Sequence, residues 1–133
     1  MNVHERLTPQ SLEAEQSLLG AMLIDDEAVS FVLANVAVSE MYREAHRMIF
    51  EAILSIRTSK RGAVDIVTVA DTLRARDQLE IIGGGLYLAS LIELVPTAAN
   101  VSDYARIIKG NAVKRGMIKA ADKLGDMSYN GHH

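Results

Sequence analysis

Hydrophobic residues recur at intervals of three and four along almost the whole sequence, and this spacing places side chains on one face of an α-helix. The rhythm is clearest in one segment, whose apolar positions are Ala45, Met48, Ile49, Ala52, Ile53 and Ile56. One run, "AVDIVTV", is rich in β-branched residues, but helical spacing continues on both sides of it. The pattern predicts an all-α fold: a compact bundle of about six helices with a longer terminal helix.

Residues that favour helix ends and turns separate these segments. We expect N-caps at Ser11, at Asp25 or Asp26, at Asp65 or Thr68, and near Asn100 or Ser102 for the last helix. Breaks are expected at Gly62, at the glycine triplet of residues 83–85 and at Pro96. Residues 1–100 are therefore predicted to form a globular head, and residues 101–130 a separate helix.

The last helix is predicted to be the longest, roughly 22 residues or 33 Å at 1.5 Å per residue. Its apolar stripe is predicted to comprise Val101, Tyr104, Ala105, Ile108 and Ala112, continued by Ile118, Ala121 and Leu124. Gly110 and Gly116 fall inside it, each costing about 1 kcal/mol relative to alanine, and Gly125 is the expected stop. Such a stripe needs a cover, which is either the head of the same chain or a second copy.

The triplet Gly83, Gly84 and Gly85 invites comparison with phosphate-binding loops. A P-loop requires a preceding strand and a lysine followed by serine or threonine, and a dinucleotide fingerprint requires a third, spaced glycine. Here Leu86 and Tyr87 follow directly, and no strand is predicted before the triplet. We therefore expect the triplet to end one helix and start the next, since glycine readily adopts the left-handed conformation.

Composition is typical of a globular domain. Of the 133 residues, 49% are hydrophobic and 23% are charged, which suits one domain with one core. There is no cysteine, no apolar run near the roughly 20 residues that cross a bilayer, and no signal-peptide core at the start. We expect a cytoplasmic protein without disulfides or membrane contact, and we interpret residues 131–133 as a tag remnant.

Charge is divided unevenly, although the net charge of −3 argues against wholesale binding of nucleic acid. Residues 1–100 carry 8 basic and 14 acidic side chains, whereas residues 101–133 carry 6 basic and 3 acidic ones. The six basic residues are Arg106, Lys109, Lys114, Arg115, Lys119 and Lys123. Such a run is usually a solvated helix face, and a contact with an acidic partner is the alternative.

No catalytic, cofactor-binding or metal-binding constellation is predicted. His46 lies near a helical stripe without a second histidine or a carboxylate at ligand spacing, so a packed or capping role is expected, and His4 lies in the start segment. Glu13 and Glu15 point to different sides of their helix and do not form an acid–base pair. The residues alone predict an all-α domain without a visible active site.

Six fragments, in this order and spacing, resemble the amino-terminal domain of the bacterial replicative DNA helicase, the DnaB family. They are "PQSLEAEQSLLGAML", "MYREAHRMIFEAI", "VDIVTVADTL", "IGGGLYLASL", "VPTAANVSDYARII" and "VKRGMI". The likeness runs from about Pro9 to Lys123. One departure is the segment of Lys109, Gly110 and Asn111, where the family usually has glutamate and lysine.

The resemblance implies a non-catalytic scaffold: a head of about six helices joined to a helical hairpin. Only the first arm of the hairpin, roughly Val101 to Leu124, is present. In the family, hairpins pair between subunits in the collar of a hexamer, and the ATP- and magnesium-dependent motor that contacts DNA is a separate domain, absent here. The implied dimer interface comprises Tyr104, Ile108, Ala112, Ile118, Ala121 and Leu124.

A second implied partner is the helicase-binding domain of primase, and a helicase loader is a further candidate. The positions implied for primase are Glu13, Tyr87, Ile118 and Leu124. Each also has a plain structural interpretation: Glu13 favours its helix amino-terminus, Tyr87 packs with its hydroxyl in water, and the other two belong to the hairpin core. Two other classes stay open, a small helical DNA-binding module using the basic face of residues 106–123 and a cryptic enzyme.

Overall fold

The computed structural model describes residues 8–95 and 100–130, which form helices joined by short turns. The α-helices are α1 (Leu12–Ile24), α2 (Asp26–Asn35), α3 (Glu44–Ser59), α4 (Ile66–Ala75), α5 (Leu79–Ile82), α6 (Gly84–Glu93) and α7 (Val101–Asn130). A 3-10 turn covers Val38–Glu40. No strand occurs in these two ranges, so the predicted all-α class is confirmed. The single-turn helix α5 was not predicted.

Side-chain caps start three helices at or beside the expected residues. Ser11 Oγ accepts a hydrogen bond from Ala14 N at 3.1 Å to start α1, and Asp25 Oδ1 caps α2. Asp65 Oδ1 accepts from Thr68 N at 2.8 Å, and Thr68 Oγ1 accepts from Asp65 N at 3.0 Å. This reciprocal pair is a capping box, so the β-branched run "AVDIVTV" is the start of helix α4.

The glycine triplet is a helix junction, as predicted. Gly83 has φ of 113° and ends α5, and Gly84 has φ of 76° at the start of α6. A Cβ on Gly83 would also lie 2.9 Å from Tyr87 Cβ. Glycine is therefore required at position 83 both by its left-handed backbone and by the tyrosine packed beside it.

Helix α1 is the central helix of the head and is buried on nearly all sides, as is typical of a helix surrounded by others. Other helices complete the core with Ile49, Phe50 and Ile53 of α3, Val69 and Leu73 of α4, Leu88 and Leu91 of α6, and Ile108 of α7. A Cβ on Gly20 of α1 would lie 2.2 Å from the Leu91 carbonyl oxygen. The close crossing of α1 and α6 therefore depends on glycine at position 20.

Helix α7 runs without interruption to Asn130, so the predicted stop at Gly125 is wrong. A glycine stop needs a positive φ, and Gly125 is not among the described glycines that have one. Gly110 and Gly116 also lie inside the continuous helix, which is 30 residues long. The predicted stop at Pro96, the segment that contains His4, and residues 131–133 lie outside the described residues; α6 ends at Glu93.

The apolar residues of α7 occupy two different faces, so the prediction of one continuous stripe is wrong. Ala105 and Ile108 are buried against the head. At about 100° per residue, Leu124 points roughly 160° away from Ile108. The interval from Ala112 to Ile118 is six residues, which breaks the rhythm of threes and fours and moves the stripe around the helix.

The crossing at Gly20 leads to a stability prediction. Gly20→Ala should lower the free energy of unfolding by about 1–3 kcal/mol, because α1 and α6 must separate to admit the new methyl group. Urea denaturation followed by helical circular dichroism measures the difference.

Gly110→Ala, in α7, is the matched control, because a Cβ at this position meets nothing within 4 Å. This substitution should raise the stability by about 0.5–1 kcal/mol through helix propensity alone. A Gly20→Ala protein as stable as the parent would contradict the close crossing.

Candidate partner-binding surface

The second half of α7 carries an exposed apolar stripe. Residues 116–130 are exposed except for half-buried Gly125. The stripe consists of Val113, Met117, Ala120, Leu124 and Met127, at successive steps of four, three, four and three. This is the heptad spacing by which one helix packs along another. The stripe residues Met117 and Leu124 are 66% and 64% exposed, so nothing within the described part of the chain covers this face.

Arg115 fastens the first half of α7 to the head. Its guanidinium donates to the carbonyl oxygens of Pro9 and Glu40, both at 2.8 Å, and lies 5.2 Å from the centre of the Tyr42 ring. Six residues earlier on the chain, Lys109 Nζ binds the Glu40 carboxylate at 3.0 Å. Pro9 before α1 and Glu40 in the turn before α3 therefore anchor α7. The helix beyond Arg115 has only exposed or half-exposed side chains.

The basic residues of α7 do not form one face. Lys119 and Lys123 lie about 40° apart on one side of the helix, whereas Lys114 points about 140° away from the first and 180° away from the second. Arg106 pairs with Asp103 at 2.9 Å, and Arg115 is engaged with backbone carbonyls as described. The described helix therefore lacks the continuous basic face of residues 106–123 that the alternative of a DNA-binding module requires.

The six residues predicted for a dimer interface divide into two groups. Ile108 is 2% exposed in the core of the head, and Tyr104 is half-buried there, so their apolar surface serves the head itself. Ala112 is half-buried at the boundary. Ile118, Ala121 and Leu124 lie on the exposed half of α7, where they are free to meet a partner.

Of the four residues predicted to contact primase, Glu13 and Tyr87 lie on the head, and Ile118 and Leu124 lie on the exposed half of α7. Glu13 is exposed in the first turn of α1, where it also favours the helix amino-terminus. It lines a cavity of about 220 Å³ between α1 and α7 together with Tyr104 and Ile107. Glu13 therefore lies beside Tyr104, which was predicted for the dimer interface. Tyr87 does not line this cavity.

Tyr87 joins a hydrogen-bonded network inside the head instead of placing its hydroxyl in water. Its hydroxyl lies 2.6 Å from His46 Nε2 and accepts from Gln16 Nε2 at 3.2 Å. His46 Nδ1 lies 2.7 Å from Glu15 Oε1, and both residues are buried, at 0% and 2% exposure. Glu15 also accepts backbone N–H bonds from Tyr42 at 2.7 Å and from residue 43 at 3.3 Å.

The predicted packed role of His46 is confirmed, but the carboxylate partner was missed, because Glu15 lies 31 residues away in sequence. The sequence did contain a signal for this pairing of Glu15 with His46. Glu15 lies one turn before Leu18 and Leu19 on the buried face of α1, and His46 lies one turn before Ile49 on that of α3. Two polar side chains on core faces must be hydrogen-bonded, and pairing them with each other is the simplest solution.

Burial alone raises the pKa of the Glu15 carboxyl, because a charge inside the head loses its hydration. Hydrogen bonds from His46 and from the backbone of Tyr42 and Arg43, together with the charge that His46 can carry, outweigh this and lower the pKa below its usual 4.5. The ionised form of Glu15 is therefore more favourable in the folded head than in the unfolded chain.

The described residues contain no group of three or more His, Asp or Glu side chains that could hold a metal ion. An open groove of about 620 Å³ lies between the end of α3 and α4. It is lined by apolar and polar residues of α4, Arg74 among them, together with Ile56 and Arg61. None of the described helices is both long enough and apolar enough to cross a membrane.

Together these features define an all-α domain from which a long helix carries an uncovered apolar stripe. The chain matches the family model described as the DnaB-like helicase N terminal domain over residues 7–110. It is 45% identical over 126 residues to the replicative DNA helicase DnaB of Geobacillus stearothermophilus, and 36% identical over 125 residues to that of Treponema pallidum. The chain therefore belongs to the DnaB-like helicase N-terminal domain family, and the resemblance is confirmed.

Each of these two alignments covers 94% of this chain but only 27% and 28% of the helicases. The matched family is that of the amino-terminal domain, and the catalytic motor of the helicase lies outside it. The N-terminal domain of DnaB helicase from Mycobacterium tuberculosis matches with a TM-score of 0.90 at 40% identity, over 94% of this chain and 89% of that one.

The corresponding domain of Helicobacter pylori matches with a TM-score of 0.74 at 16% identity, over 88% of this chain and 90% of that one. At this identity the likeness shows the fold alone. That structure was described together with the interactions of the Helicobacter pylori domain with primase.

The lowered pKa of Glu15 predicts how the stability depends on pH. An acid with a lower pKa in the folded state stabilises the fold fully above its unfolded pKa, near 4.5, and this contribution is lost as pH falls through the folded pKa. Glu15→Gln should destabilise the head by about 1–3 kcal/mol at pH 7. The difference between the two proteins should shrink below about pH 4.5.

Urea denaturation at pH 7, 5, 4 and 3 measures this difference. Glu13→Gln, two residues away but exposed, is the control and should show little effect at any pH. A difference that stayed constant or grew in acid would contradict the lowered pKa.

Proposed function

We propose that this domain is a non-catalytic scaffold in a replicative DNA helicase, where it pairs with other subunits through α7 and docks primase on its surface. The observation that carries the proposal is the exposed heptad stripe on the second half of α7. The family membership supplies the context, since the helicase motor lies outside the matched domain.

Pairing through the stripe would bury apolar side chains that are exposed to water in the single chain, and this burial would stabilise the dimer. Burying a large apolar side chain such as Met117, Leu124 or Met127 contributes about 1.5–3 kcal/mol. Gly116 and Ala120 beside these residues allow another helix to approach closely. A second copy presents the same stripe, so a two-fold arrangement would cover both at once.

The proposed dimer surface is therefore revised toward the end of α7. Ile118, Ala121 and Leu124 are kept, and Val113, Met117 and Met127 are added. Tyr104 and Ile108 are assigned to the head, and Ala112 to the boundary. In the whole helicase we propose that this pairing contributes to the collar of a hexamer, while ATP, magnesium and most of the DNA are bound by the other domain.

Primase docking is the finer part of the proposal. Exposed Glu13 and the half-buried ring of Tyr87 offer a surface on the head, and exposed Ile118 and Leu124 offer one on α7. The structural neighbour from Helicobacter pylori, studied with primase, supports a role of this kind for the fold. A helicase loader is a further candidate partner, and a replication role implies a bacterial cytoplasmic location.

A DNA-binding module receives less support. Lys119 and Lys123 share one side of α7, but Lys114 points to the opposite side. Arg106, Lys109 and Arg115 are already engaged within the chain. Phosphate binding depends on several basic side chains that track one backbone. The described helix does not offer such a track, so the scaffold role is the function we favour.

The dimer is tested by light scattering and sedimentation over a range of concentrations. We expect a concentration-dependent homodimer, and the double substitution Met117→Ser with Leu124→Ser should raise its dissociation constant at least tenfold, because two central stripe residues lose apolar surface. Val67→Ser, at a residue 72% exposed on α4, is the matched control and should have no effect. Monomer alone at high concentration, or a double variant that dimerises normally, would contradict the pairing.

Primase docking is tested by titrating the chain with a primase helicase-binding domain. Tyr87→Ala and Ile118→Ala should each weaken binding about tenfold if these side chains are central contacts. Val67→Ala serves as the control. Unchanged binding by both variants would remove the proposed primase surface.

A further inference from the structure

The hydrogen bonds around Tyr87 have only one consistent direction when the imidazole is neutral. The Glu15 carboxylate can only accept, so His46 Nδ1, at 2.7 Å, carries the proton. His46 Nε2 is then an acceptor, and the group facing it at 2.6 Å is the Tyr87 hydroxyl. Gln16 Nε2, at 3.2 Å, donates to the same tyrosine oxygen. The hydroxyl proton therefore points inward, toward His46.

We propose that Glu15 and His46 are positioning residues for Tyr87: by selecting the Nδ1–H tautomer they hold the hydroxyl inward, so that Tyr87 presents its ring and not its hydroxyl to a protein partner. The inference rests on the proposed docking function and deepens it. It assigns a task to two buried residues that touch no partner themselves.

Packing around the ring supports this orientation. The rings of His46 and Tyr87 lie with their planes 13° from parallel and their centroids 6.0 Å apart, and they meet edge to edge at the 2.6 Å contact. At the base of the side chain, Gly83 leaves room for the tyrosine, since a Cβ there would be 2.9 Å from Tyr87 Cβ. The side chain is therefore confined at its hydroxyl and at its base. A side chain held in this way loses little conformational entropy on binding.

The network also ties Tyr87 to two other surface segments. Glu15 lies on α1, two residues after Glu13, and its carboxylate holds the backbone N–H groups of Tyr42 and Arg43 in the turn before α3. Tyr87 itself contacts α1 through Gln16. The relative positions of α1, this turn and α6 are therefore set by one buried carboxylate.

Glu15→Gln should invert the network and lose only the 3.3 Å bond from Arg43 N–H, because that group donates to the oxygen that faces His46. The Tyr42 N–H lies 2.7 Å from Glu15 Oε2, so the glutamine oxygen must stay on that side and its NH₂ group must face His46. Nδ1 would then accept and Nε2 would carry the proton toward Tyr87. The tyrosine oxygen would receive two N–H donors, and its own proton would turn outward.

Nitrogen-15 NMR of histidine in the intact chain reads this tautomer directly. His46, assigned by the loss of its signal in His46→Gln, should carry its ring proton on Nδ1 in the parent and on Nε2 in Glu15→Gln. Glu51→Gln, an exposed residue on the same helix, is the control and should leave the tautomer unchanged. An Nε2–H or doubly protonated His46 in the parent, or an unchanged tautomer in Glu15→Gln, would overturn the proposal.

Titration with a primase helicase-binding domain tests the presentation of the ring. Tyr87→Phe keeps the ring and should bind within about twofold of the parent, whereas Tyr87→Ala should bind about tenfold more weakly. Equal loss in Tyr87→Phe and Tyr87→Ala would overturn ring presentation. Full binding by Tyr87→Ala would instead remove the docking role of Tyr87, while the NMR result would still decide whether Glu15 sets the tautomer.

Discussion

A carboxylate inside the core has to be satisfied by hydrogen bonds, and the way Glu15 meets this requirement organises the head. Its oxygens accept from His46 and from the backbone of the turn before α3. Because that turn is fixed, the Glu40 carbonyl is in place to receive Arg115, and the Glu40 side chain is in place for Lys109. The buried charge on α1 therefore supports, two contacts away, the position of α7, which also packs directly on α1.

Helix α7 joins two kinds of surface in one rigid element. Its first half belongs to the head, where Ile108 is part of the core, and its second half exposes the heptad stripe on nearly the opposite side. A helix transmits the orientation of one end to the other. The geometry of any assembly built on the stripe is therefore tied to the contacts of Arg115 with the head, which links subunit pairing to the internal structure of each domain.

Local features of the fold could be predicted from sequence because their causes are local. Ser11, Asp25 and Asp65 cap helices through atoms two or three residues away, and Gly83 ends α5 through its own backbone conformation. The stop at Gly125 was wrong for the complementary reason. A glycine permits the left-handed conformation but does not impose it, so a helix with favourable neighbours continues through it.

Helix content, the caps, the glycine junction and the family were determined by the sequence itself, since each depends on residue identities at fixed short spacings. Only the tertiary structure decided which faces those helices turn inward. It brought Glu15 to His46 across 31 residues and Arg115 to Pro9 across 106. It also divided the apolar residues of α7 between two faces, because burial is settled by neighbours that are distant along the chain and by the direction of each side chain around its helix.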